Sequence, residues 1–157
     1  MILDRKTLML IAALGSALLL GGAFVFQFLG YPPCAMCLWQ RWPHAAAIVI
    51  GLMAFALPTQ THRALALLGA LAAAITGGLG VYHTGVERGW WQGPTSCTSS
   101  GGLNGLTGGD LLSTVGPKLV LCDQVSWQLF GLSMASWNAL ASFVLVAIWI
   151  WAARRPA

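Results

Sequence analysis

Hydrophobic positions run through this chain in long blocks, not in the short alternations of a soluble core. Four apolar segments stand out, residues 7–29, 38–57, 64–84 and 129–153. Each is close to the roughly 20 residues that a helix needs to cross a hydrocarbon layer about 30 Å thick. The connection PTQTH at 58–62 is short, so the second and third helices are expected to be antiparallel neighbours. The pattern therefore predicts an all-α membrane protein, one domain over 1–157, built as a four-transmembrane-helix bundle. A short first outer loop and a long second outer loop, about 85–128, complete it. Within the long loop, the glycine-rich SSGGLNGLTGGD is expected to be mobile. The more apolar LLSTVGPKLVL is too short to span, and is expected either to lie along the membrane surface or to pack on the helix ends.

Composition agrees with this reading. The chain is 57% hydrophobic and only 8% charged, against about 25% charged in soluble domains. The basic start MILDRK is followed by an apolar run to Leu29, longer than the roughly 7 to 15 residues of a signal-peptide core, so it reads as a span. Charge sets the orientation. With both termini inside, Arg5, Lys6, Arg63, Arg154 and Arg155 fall on the inner side and Arg41, Arg88 and Lys118 on the outer, five against three as the positive-inside rule requires. The net charge of +4 then lies on the inner side, where five basic residues are opposed only by Asp4. It calls for no nucleic-acid partner.

Small residues recur at four-residue spacing, Ala13, Ala17 and Gly21 in the first span and Gly69, Ala73 and Gly77 in the third. Such rows allow backbones to approach closely where lipid gives no hydrophobic drive for association.

All four cysteines, Cys34, Cys37, Cys97 and Cys122, fall on the outer side in this topology. Cys34 and Cys37 form a C-x-x-C motif. Leu38 stands where haem attachment would need a histidine. A zinc site would want four ligands, yet the chain has no second short-spaced cysteine pair, and His83 is the best additional ligand. Two structural disulfides are compatible with an outer face. A bond across two intervening residues, however, restrains the unfolded chain less than a long loop does, which favours a redox pair. Pro32 and Pro33 suit a helix start near the cysteines, which would put Cys37 and Arg41 four apart on one face. A helix N-terminus and a nearby guanidinium both favour the reactive thiolate. Arg41 also fits a headgroup anchor, and Pro43 would loosen the register. Cys97 and Cys122 bracket the long loop, so two pairs in series would make an electron relay. Four cysteines nonetheless allow three pairings.

The segments PPCAMCLWQRW, YHTGVERGWWQGPTSC and LCDQVSWQLFGLSMASWNAL, in that order among four spans, resemble the DsbB family of bacterial disulfide bond formation proteins. The resemblance covers nearly the whole chain. It implies a quinone-dependent thiol oxidase of the bacterial cytoplasmic (inner) membrane, with both termini cytoplasmic and the cysteines periplasmic. Electrons would pass from a DsbA-like periplasmic thioredoxin-fold protein to ubiquinone or menaquinone. By position, the resemblance implies that Cys97 forms the mixed disulfide with the partner, Cys122 is its loop mate, and Cys34 exchanges with Cys122. Cys37 would face the quinone with Arg41 beside it, and His83 would belong to the quinone site. It assigns no metal. Glu87 and His44 lie near this site without an assigned role. Trp39, Trp42, Trp90 and Trp91 read mainly as an interfacial aromatic belt. The glycine-rich loop departs from the better-known family pattern. Two other readings compete: a vitamin K epoxide reductase relative, although there the C-x-x-C lies late in the bundle, and a non-enzymatic membrane module with inert disulfides or a metal.

Overall fold

The computed structural model describes residues 3–98 and 120–156. The segment SSGGLNGLTGGD falls outside the described residues, as does all of LLSTVGPKLVL except Val120 and Leu121. Four α-helices make up most of the described chain: α1 (Arg5–Phe28), α2 (Ala35–Ala56), α3 (His62–Glu87) and α4 (Met134–Arg154). Pro58 leads into a 3-10 turn at Thr59–Thr61, which feeds directly into α3.

Helix starts follow local chemistry. Cys34 caps α2, its sulfur accepting the Cys37 backbone N–H at 3.2 Å. The adjacent Pro33 has no N–H of its own to leave unpaired. Ser133 caps α4, its hydroxyl accepting the Ser136 N–H at 3.2 Å. That cap corrects the predicted start at 129. Gln128–Leu129 and Leu132–Ser133 instead pair as a small antiparallel hairpin. Phe130 (φ 52°) and Gly131 (φ 74°) make its turn, and two successive positive φ values suit the right-handed twist of a tight hairpin.

Three of the helical segments, Arg5–Phe28, Thr59–Glu87 and Met134–Arg154, are long and apolar enough to cross a membrane. The N-terminal half of α2 carries Gln40, Arg41, Pro43 and His44, and α2 is not among them. The helices close a ring, with α3 packed on α2 and α4, and α1 on α2 and α4. Glycines of α3 lie close against α4. A Cβ on Gly69 would come within 2.6 Å of the buried Trp149 indole, and one on Gly80 within 2.9 Å of the Ala135 carbonyl. In α1, Ala13 of the predicted row packs directly on Gly51 of α2, whereas Gly21 faces open space.

Leu8, Met9, Ala66, Leu145 and Trp149 fill a core towards the start of α1 and the end of α4. Around the bundle, Leu14, Leu18, Leu52, Phe55, Leu71 and Val144 are exposed. Lipid is the natural solvent for such a girdle. At the opposite end a second buried cluster gathers Cys34, Met36, Val86, Cys97 and Cys122.

Candidate active site

The second cluster holds all the chemistry anticipated from the cysteines. Cys97 and Cys122 are joined as a disulfide with their Cα atoms 5.3 Å apart. Cys34 and Cys37 are free thiols, with sulfurs 2.9 Å apart. Cys34 is buried and packs in the same cluster as the disulfide. It is also the sulfur at the helix start, where the α2 dipole and the Cys37 N–H favour an anion. The hydrogen bond from the Cys37 thiol, followed by that from His83, holds the Cys34 thiol below its ordinary range against the opposing effect of burial. The stabilised thiolate of the reduced pair is therefore Cys34, the cap, and not Cys37, which the four-residue spacing to Arg41 favours in the sequence.

His83, near the end of α3, places Nε2 3.5 Å from Cys34 Sγ. The same nitrogen lies 3.8 Å from Glu87 Oε1, one turn further along, and the Ser133 hydroxyl donates to the other oxygen of Glu87. Helix α3 thus continues through Glu87 and brings a buried carboxylate to the site. On the other side of the ring, His83 Nδ1 meets Gln40 Nε2 at 3.1 Å. From Gln40 the network runs to Asn138, whose Nδ2 donates to Gln40 Oε1 at 2.7 Å, and then to His44, whose Nε2 lies 2.8 Å from Asn138 Oδ1. Gln40, Asn138 and Ser133 were not singled out in the sequence. The Ser-x-x-Ser cap was the only local signal for Ser133, and the other two are joined across 98 positions.

Arg41 is fixed by α1, not by sulfur. It donates to Gln27 Oε1 at 2.8 Å and to the Ala23 carbonyl at 3.3 Å, and its guanidinium lies 4.7 Å over the Phe24 ring. Its Nε is buried without a hydrogen-bond partner among the described residues. Beside these groups opens a cleft of about 400 Å3, bordered by Cys34, Cys37, Arg41, His44, His83 and Glu87 and otherwise largely apolar. Its aromatic walls are Phe26, Tyr31, Trp127, Phe130 and Trp137. The four tryptophans read as a boundary belt do not line it. Trp91 instead stacks on Tyr82, with ring centroids 6.1 Å apart, and donates to the Tyr82 carbonyl at 2.8 Å.

A dithiol, a disulfide and an apolar cleft gathered at one end of a bundle of membrane helices define a membrane thiol–disulfide redox protein. Comparison with known proteins agrees. The chain belongs to the DsbB family: the profile described as "Disulfide bond formation protein DsbB" matches residues 5–152. Among its relatives, Disulfide bond formation protein B of Verminephrobacter eiseniae is 29% identical over 92% of this chain and 85% of its own length. Disulfide bond formation protein B 2 of Pseudomonas aeruginosa PAO1 is 31% identical over 90% of this chain and 86% of its own. Disulfide bond formation protein B of Azoarcus sp. BH72 is 30% identical over 97% and 95%. No solved structure matches the chain.

Proposed function

We propose that the protein reoxidises a DsbA-like thioredoxin-fold donor by relaying two electrons through its cysteine pairs to a membrane quinone. In this reading the whole chain is one domain of the bacterial inner membrane. Helix α2 is the fourth crossing, both termini are cytoplasmic and both cysteine pairs face the periplasm. The observation that carries the reading is that the free Cys34–Cys37 pair and the Cys97–Cys122 disulfide meet in one buried cluster beside an apolar cleft.

The exchange balances as follows. A partner thiolate attacks Cys97, the bond to Cys122 breaks, and Cys122 leaves as a thiolate. The partner's second thiol then releases oxidised partner and reduced Cys97. Cys122 attacks the oxidised inner pair at Cys34 and expels Cys37, and Cys97 displaces Cys34 from Cys122. The outer disulfide is restored and two electrons and two protons remain on Cys34 and Cys37. That distribution, outer pair oxidised and inner pair reduced, is the one seen here.

The cleft suits a quinone. It is apolar, it borders both inner thiols, and it presents Arg41 as a donor and His83 beside Cys34. A bound quinone supplies the two-electron acceptor. The protein's own part is to hold the sulfurs 2.9 Å apart, bury Cys34 and stabilise charge there.

The relay is tested by mixing Cys122→Ser protein with oxidised DsbA-type partner. A mixed disulfide through Cys97 is expected, lost on further Cys97→Ser substitution. Failure to trap it with a folded protein counts against the relay. A metal reading has one observation in its favour: ligand atoms of Cys34, Cys37 and His83 lie within 4.8 Å of one another. Stoichiometric zinc that stays bound in the presence of oxidised partner would favour that reading.

A further inference from the structure

His44 lies one turn beyond Gln40 in α2, only 3% exposed, and borders the same cleft as Cys37. Its Nε2 faces Asn138 Oδ1 at 2.8 Å, whereas its Nδ1 is buried and has no hydrogen-bond partner among the described residues.

The surrounding bonds decide which nitrogen carries the proton. The Thr76 hydroxyl lies 3.1 Å from the Gln40 backbone carbonyl. A carbonyl only accepts, so Thr76 donates there and its oxygen is left to accept. The Met36 carbonyl, 3.1 Å from the Gln40 side chain, likewise requires Nε2 on that side and turns Oε1 towards Asn138. The Asn138 atom that meets both Gln40 Oε1 at 2.7 Å and Thr76 Oγ1 at 3.2 Å must therefore be the amide nitrogen. Its oxygen then faces His44, which must donate from Nε2. A neutral imidazole has one N–H, so Nδ1 presents a lone pair. Buried acceptors of this kind ordinarily have a partner.

We infer that His44 Nδ1 is a built hydrogen-bond acceptor for a ring hydroxyl of the reduced quinone, so that the cleft discriminates quinol from quinone. The inference rests on the quinone reading above. Arg41 Nε can only donate and suits a carbonyl oxygen; His44 in this tautomer can only accept and suits a hydroxyl. Holding the reduced ring more tightly than the oxidised one makes the bound quinone a stronger acceptor for the Cys34–Cys37 electron pair, by simple linkage.

The test compares Cys37→Ser protein, which retains His44 but cannot turn over, with the same protein carrying His44→Leu. Dissociation constants for a soluble ubiquinone analogue and for its quinol are read anaerobically from quenching of tryptophan fluorescence. His44→Leu should weaken quinol binding about five- to tenfold, the scale of one neutral hydrogen bond, and quinone binding less than about twofold. Equal effects on the two forms, or none, overturn the role of His44. Failure of both forms to bind the protein that retains His44 overturns the quinone reading itself. A second readout needs no substitution at His44. Its ring nitrogens, followed by 15N NMR, should show an unprotonated Nδ1 before ligand, and that resonance should move on adding quinol. A protonated Nδ1 or an unmoved signal contradicts the proposal.

Discussion

The imidazole of His83 approaches the sulfur of Cys34 at 3.5 Å, linking the end of α3 to the cap of α2. That contact joins the thiol pair to a buried network in which Glu87 approaches one nitrogen of the ring and Gln40 the other.

Cys34 is held below its ordinary value of 9.0, first by the Cys37 hydrogen bond and then by His83. Its thiolate signal in ultraviolet absorbance should therefore persist to lower pH than that of an unstructured cysteine. Cys37→Ala should move the midpoint upwards more than His83→Ala does. Because the folded value is depressed, the stabilisation it gives the reduced fold is full above about pH 9 and is lost as the pH falls through the lowered value. Denaturant midpoints of the reduced protein, measured on either side of that range, should drop on the acid side. A flat profile would mean that Cys34 stays neutral.

Arg41→Ala removes the only cation bordering the cleft among the described residues. Its KM for quinone should rise roughly tenfold to a hundredfold, the scale of a charge-assisted hydrogen bond. Trapping of the partner on Cys97 should be unaffected. Unchanged kinetics at low quinone concentration would remove Arg41 from the site.

Packing gives a paired prediction. Gly80→Ala drives a Cβ to 2.9 Å from a backbone carbonyl of α4, whereas the neighbouring Gly78 has nothing within 4 Å. Overpacking of that kind costs about 1–3 kcal/mol, while Gly78→Ala should be neutral or stabilising by roughly 0.5–1 kcal/mol. Thermal unfolding in detergent reads both, and equal midpoints would show that α3 and α4 are packed less closely.

The helices were legible because an apolar run of membrane length needs no tertiary information. The observed bounds stay close to those runs except where a hairpin occupies 128–133. There, QLFGLS reads as apolar continuation, and its Phe-Gly turn lacks the Asn or Asp that usually marks one. The cysteine spacing exposed the site for the same local reason. The network Gln40–Thr76–Asn138–His44 was hidden because its partners lie 36 to 98 positions apart, and only the closed ring brings them together. The apolar run of α3 ends at 84 and so gives Glu87 no role, whereas the helix itself runs to 87.

The most direct measurement of the central claim mixes purified protein with reduced DsbA-type partner and a soluble ubiquinone analogue, and follows quinone absorbance beside a Cys37→Ser control. The relay predicts stoichiometric quinone consumption with oxidation of the partner, abolished in the control. No consumption with ubiquinone or menaquinone analogues, from a protein whose four cysteines and helical fold are intact, would contradict it.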